Sequence, residues 1–85
     1  MIIEYSPEFR RLFKKLSQEL KLKALEKEKI FRIDYRDSRL KTHKLSGKLD
    51  GKQAFWIDYR VRIVFTKIKN DYIYFHSIGG HDIYK

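Results

Sequence analysis

His43, His76 and His81 are the side chains in this sequence best suited to moving protons near neutral pH, because an imidazole titrates close to pH 6.5. They stand far apart and have no HExxH-like spacing, so they do not read as a metal-ligand set. Gly47 and Gly51 match neither a Walker loop nor a dinucleotide fingerprint, and no helix is expected after them. No nucleophile elbow is present. There is no cysteine, hence no thiolate to attack a substrate or bind a metal, and no disulfide to brace the core. The acidic residues lie mostly among lysines in helical or turn segments, which makes a catalytic carboxylate pair a weak reading. The sequence therefore predicts neither a metal nor an organic cofactor. What remains is an inventory of His, Arg, Lys and Tyr, and it suits cleavage of RNA by its own ribose 2′-hydroxyl. That reaction needs a base for the hydroxyl proton, an acid for the leaving 5′-oxygen and cations for the charge on the phosphorane. Arginine clamps phosphate bidentately and aromatic rings stack on unpaired bases. Many proteins that only bind ribosomes carry the same inventory.

Charge points the same way. Twenty Lys and Arg face eleven Asp and Glu, a formal net charge of +9 on 85 residues. This exceeds what solubility requires and favours polyanions: nucleic acid, the ribosome, an acidic partner or an anionic membrane surface. No run approaches the ~18 apolar residues of a membrane span, and there is no signal-peptide core, so a soluble, cytoplasmic protein that does not enter a membrane is expected. Residues 1–85 make one domain, since a chain this short has room for a single modest core.

The elements that must position these side chains follow from periodicity and punctuation. Ile2 to Tyr5 reads as a short strand. Ser6, Pro7 and Glu8 then open a helix as cap, first-turn proline and dipole partner. Phe9, Leu12, Phe13, Leu16 and Leu20 recur at helical spacing and form its core stripe. The helical pattern continues, noisier, from Ser17 to about Ile33, with a break near Ser17–Leu22 dividing a helical hairpin; Leu22, Leu25 and Ile33 are the expected core contacts. Stretch 34–53 has no clear period and reads as a long, basic, ordered loop. Three strands follow: Ala54 to Asp58, Arg60 to Lys67 with its β-branched residues, and Tyr72 to Ile78 after a turn at Asn70-Asp71. Short connections make them an antiparallel meander, and a tail runs from Gly80 to Lys85. The predicted fold is α+β, with an N-terminal strand, two helices and a three-stranded meander, the helices packed on one face of the sheet.

Three blocks resemble the RelE/ParE toxin superfamily, and most closely its RelE/YafQ-like members. They are Leu40-Lys41-Thr42-His43-Lys44-Leu45-Ser46-Gly47-Lys48-Leu49-Asp50-Gly51, then Ile57-Asp58-Tyr59-Arg60-Val61-Arg62-Ile63-Val64-Phe65, then Ile78-Gly79-Gly80-His81-Asp82-Ile83-Tyr84. Together they cover over half the chain. The resemblance implies helices on a twisted antiparallel sheet with the tail crossing its open face. It also implies the toxin of a type II toxin–antitoxin pair, a ribosome-dependent mRNA endonuclease that needs no metal. Its partners would be a cognate antitoxin, the ribosome and mRNA, with promoter DNA reached only through the antitoxin. A ParE-like gyrase inhibitor and a catalytically inactive antitoxin-binding module share the fold and stay open as alternatives.

Residue by residue, His81 matches the tail position where YafQ-like and YoeB-like toxins carry a catalytic histidine. Arg62 matches the strand arginine that clamps the scissile phosphate. His43 matches a histidine important in YafQ, and Tyr84 matches the C-terminal tyrosine of RelE. Arg60, two residues before Arg62, is expected on the same sheet face by strand alternation. Lys41, Lys44, Lys48 and Lys52 are expected to meet RNA phosphates. His76, mid-strand, reads as structural, and Trp56 as packed in or beside the sheet. The sequence also departs from the family: Trp56 and Asp58 stand where RelE has catalytic lysines, and Trp56 where YafQ has a second histidine.

Overall fold

The computed structural model describes residues 1–84, so Lys85 of the predicted tail lies outside the described residues. Strand β1 (Ile2–Tyr5) leads into α1 (Pro7–Lys14). The Ser6 hydroxyl caps α1 by accepting the Phe9 N–H at 2.9 Å, and donates to the His76 carbonyl at 2.7 Å. One serine thus starts the helix and ties it to the sheet. Helix α2 (Gln18–Ile33) begins where Ser17 accepts the Leu20 N–H, so the expected hairpin break is a capped helix start.

The sheet has five strands in the order β1-β5-β4-β3-β2. Strands β3 (Gln53–Trp56), β4 (Arg62–Lys69) and β5 (Tyr72–Gly79) form the predicted antiparallel meander. Two further strands complete it. β1 joins the outer side of β5 in parallel register, Ile3 opposite Ile73, and β2 (His43–Lys44) pairs antiparallel with β3, His43 opposite Ala54. The stretch read as loop is therefore not uniformly so: it contains β2 and two short 3₁₀ turns, Ser38–Leu40 and Gly47–Leu49. β2 is too short to show a period, which is why alternation does not reveal it.

Helices cover one sheet face. Phe31 from α2 is fully buried and meets Phe55, Phe65 and Phe75 from three neighbouring strands at ring-centroid distances of 4.7, 5.0 and 5.4 Å. Such offset and edge-on pairs add to the burial energy of the rings. Phe9 is buried in α1, with Leu12, Phe13, Leu16 and Leu20 packed against the core as predicted. The α2 prediction needs correction. Leu22, Leu25 and Ile33 are exposed, Ile33 at 88%, while Ala24 and Phe31 are buried. Two stripes of α2 satisfy helical spacing, one through Leu20, Ala24 and Phe31 and one through Leu22, Leu25 and Ile33. The first faces inward because small Ala24 admits a close approach and Phe31 fills the space among the strand phenylalanines. Tyr5 donates to the Glu28 carboxylate at 2.9 Å, linking β1 to α2, and burial together with that carboxylate pushes its phenol pKa up.

A candidate functional groove on the open sheet face

Strand alternation puts Ile63 and Phe65 of β4 into the core and leaves Arg62 on the opposite face. Arg62 stands across from Trp56 of β3. Its guanidinium lies over the indole ring at 4.0 Å, and its Nη1 donates to the Asp58 carbonyl at 2.8 Å. The Lys41 ammonium lies 5.3 Å from the same indole. Trp56, expected to pack in or beside the sheet at a position where the resembled family carries other side chains, is the floor on which two cations rest. Its position opposite Arg62 gives it this place.

Arg62, Trp56, Lys41, His43, His81 and Tyr84 line one groove of about 640 Å³, closed on one side by Leu45, Ser46 and Leu49. Three distant parts of the sequence thus meet. Lys41 reaches the groove through a left-handed backbone, φ 50°, at the end of the Ser38–Leu40 turn, a conformation rare for a residue with a side chain. Asp37 caps that turn, and its ion pair with Arg39 at 2.9 Å holds its carboxyl well below the usual range, at about 2. The His43 ring places Nδ1 2.9 Å from the Lys41 carbonyl. A carbonyl only accepts, so Nδ1 carries the proton and, in the neutral ring, Nε2 is left as an acceptor.

The tail folds into a 3₁₀ turn, His81–Tyr84, with the two rings 6.2 Å apart. Its seat on the sheet depends on Gly79: a Cβ there would come 2.8 Å from the Ile83 methyl. Burial pushes the Tyr84 phenol pKa up, with the nearby Arg62 charge opposing.

Arg60 is not part of this site. The Asp58 carboxylate accepts the N–H groups of Arg60 and Val61 at 2.8 and 2.9 Å and folds residues 57–60 into a tight turn. The strand begins at Arg62, so alternation does not extend back to Arg60, whose exposed guanidinium lies 5.2 Å from the Tyr59 ring. The same turn ends β3 at Trp56 rather than Asp58. Of the remaining lysines, Lys44 and Lys52 flank the β2–β3 connection and Lys48 is exposed in the Gly47–Leu49 turn. His76 is half-buried on the open face, its Nε2 2.7 Å from the Thr66 hydroxyl. Burial, then the charge of Lys52, pulls its pKa down. Among the described residues, no three His, Cys, Asp or Glu side chains converge as metal ligands, and no helix is long and apolar enough to cross a membrane.

With this geometry in hand, comparison with solved structures is decisive for the fold. The chain superposes on YafQ from E. coli strain BL21(DE3) with a TM-score of 0.72 at 20% identity, covering 98% of this chain and 96% of that one. The chain has the YafQ/YoeB toxin fold. A YoeB/ParE toxin from Agrobacterium tumefaciens gives a TM-score of 0.80 at 12% identity, over 95% and 99% of the two chains. The YoeB–YefM complex from Staphylococcus aureus gives 0.72 at 23%, over 95% and 97%. By sequence alone, no protein-family model and no curated protein matches the chain. In this chain both helices lie on one sheet face, and the other carries the groove and the tail.

Proposed function

We propose that this protein is the toxin of a type II toxin–antitoxin pair and that it cuts mRNA on the ribosome by attack of a ribose 2′-hydroxyl on its own phosphate. The observation that carries the reading is the convergence of His43, Arg62, His81 and Tyr84 on one cationic groove. In the reaction, His43 Nε2 takes the 2′-hydroxyl proton, a role supported by the hydrogen bond that fixes the ring's proton on Nδ1. The 2′-oxygen bonds to phosphorus and the bond to the 5′-oxygen breaks. His81, as imidazolium, gives its proton to the departing 5′-oxygen, leaving a 2′,3′-cyclic phosphate. Arg62, held by Trp56 and the Asp58 carbonyl, meets the charge that grows on the phosphorane, with Lys41 as second cation. Tyr84, un-ionised at neutral pH as phenols ordinarily are, stacks on a base beside the cut. Lys44 and Lys48 hold ribosomal phosphates.

The partner is an antitoxin with an acidic, amphipathic segment, drawn to the +9 toxin by charge. The apolar cleft between α1 and α2, lined by Phe9, Phe13 and Leu25 and rimmed by Arg10 and Lys14, suits the apolar side of such a segment. YafQ and YoeB have been crystallised with DinJ and YefM respectively. The test is to express the protein in growing cells and map RNA 5′ ends. Cuts inside translated codons, abolished in His81→Gln at equal expression, are expected. Intact transcripts accompanied by DNA breaks would overturn the proposal in favour of gyrase poisoning.

A further inference from the structure

A second cavity, of about 370 Å³, opens on the same sheet face on the far side of Leu49, which lines both it and the groove. The tail divides the two: His81 and Tyr84 face the groove, whereas Asp82 and Ile83 line the second cavity. The proposed chemistry leaves its polar side chains unused. They include His76 and Tyr74 from β5, Lys52 before β3, Glu8 from α1 and Asp82 from the tail. The His76 ring is braced by Thr66 at Nε2 and stands edge-on to Tyr74, ring centroids 4.9 Å apart.

We infer that this cavity is a base-recognition subsite that takes an unstacked guanine flanking the cut, and the inference rests on the RNA-cleavage reading of the groove. Two carboxylates beside one ammonium repel a phosphate more than they attract it, which excludes the backbone as occupant. They match a base edge instead. Guanine presents two adjacent donors, N1–H and the N2 amino group, to a carboxylate, and its neighbouring O6 accepts from a lysine. Adenine and cytosine lack the paired donors, and uracil offers one donor between two acceptors that the carboxylates would face unfavourably. Position agrees. Thr66 lies four residues along β4 from Arg62, about 13 Å at strand rise. That exceeds a stacked step of about 3.4 Å, so the base arrives splayed from its neighbour, the state in which single-stranded RNA is read on its edges. The lowered pKa of His76 keeps its ring neutral at pH 7, able to offer Nδ1 to the bound base without adding charge.

The experiment uses the full chain and short oligonucleotides made uncleavable by 2′-O-methyl groups, identical except for the base on either side of the central phosphate. Affinity is read by fluorescence anisotropy. The imidazole signals of His43, His76 and His81 are read by NMR, assigned through single His→Gln variants. Guanine on one flank should tighten binding by about tenfold over the other three bases, within the range for a bidentate pair, and should shift the His76 signal. Glu8→Gln or Asp82→Asn should abolish the preference while leaving binding of the other oligonucleotides unchanged. If the signals of His43 and His81 move but His76 stays still, or if all four bases bind alike, the subsite is refuted and the groove reading stands. If none of the three signals moves, the subsite is refuted, and the groove reading, which places cleavage on the ribosome, is decided by the mapping of RNA 5′ ends in cells.

Discussion

Trp56→Leu is the substitution that most directly tests how the groove works, because its effect is expected through another residue. The indole supports the Arg62 guanidinium at 4.0 Å and the Lys41 ammonium at 5.3 Å. Leucine preserves an apolar, half-buried sheet position and removes the ring's electron-rich face. For a half-buried arginine that face contributes about 1 kcal/mol. The hydrogen bond to the Asp58 carbonyl, worth about 1 kcal/mol more, survives. Losing about 1 kcal/mol of support where the phosphorane charge grows raises the barrier by that amount, a factor of about five in rate. Single-turnover cleavage of a ribosome-bound mRNA should slow by that factor. Arg62→Ala removes the cation outright and should cost roughly 10²–10³-fold, the range for losing one donor to a developing oxyanion. The deciding measurement is the double variant. If Trp56 acts mainly through Arg62, Trp56→Leu loses most of its effect once Arg62 is alanine, the remainder being its support of Lys41. A second, undiminished fivefold loss in that background would refute the reasoning and make the indole a direct RNA contact. Urea melts on all three variants separate folding from chemistry.

Phe31→Ala empties the space shared by Phe55, Phe65 and Phe75 and should destabilise the fold by about 3–5 kcal/mol, read as a lower urea midpoint; a loss under 1 kcal/mol would contradict the described core. Gly79→Ala drives a methyl to 2.8 Å from Ile83 and should displace the His81–Tyr84 turn, so cleavage falls at least tenfold while the thermal midpoint moves little; full activity would mean that the tail needs no seat on the sheet. His76 binds its proton less readily folded than unfolded, so the unfolded chain takes up protons first as pH falls. Stability should therefore decline as pH drops below about 6.5 and level off beneath the lowered folded pKa. His76→Gln should flatten that slope, and an unchanged profile would remove His76 as its source.

The fold was legible where chemistry is local. Ser6-Pro7-Glu8 marks the start of α1 without reference to the rest of the molecule, and the β-branched run before Asn70 marks β4. What was not legible depends on distant partners. β1 is legible as a strand, but its parallel place beside β5 comes from Ile3 meeting Ile73, seventy residues on. β2 exists because β3 offers it an edge. The choice between the two stripes of α2 was settled by the shape of the space over the sheet, a property of the assembled core. At the site, His43, Arg62, His81 and Tyr84 were identified through family resemblance, and the groove unites them. Arg60 falls off the groove face because the Asp58 turn interrupts alternation before β4 begins. A tryptophan in a strand is ordinary in sequence, and the role of Trp56 comes from the cations that sit on it.

The two sheet faces depend on each other through register. Phe55 of β3 and Ile63 and Phe65 of β4 point into the core, so their neighbours Trp56 and Arg62 must point out of it. A slip of one residue in β4 would send Arg62 into the phenylalanine cluster and Ile63 into the groove, burying an unpaired guanidinium among aromatic rings. The core therefore does more than stabilise: it fixes the face on which the guanidinium appears. Sequence changes that repack the phenylalanines without disturbing register should leave the groove intact, whereas an insertion in the 57–61 turn should abolish function while preserving much of the helical layer. The irregularity in β4–β5 pairing between Val64 and Phe65 falls beyond Arg62. Up to that point the pairing of Trp56, Arg62 and Gly79 across three strands is regular, and the groove floor and the root of the His81–Tyr84 tail are set by a single uninterrupted ladder.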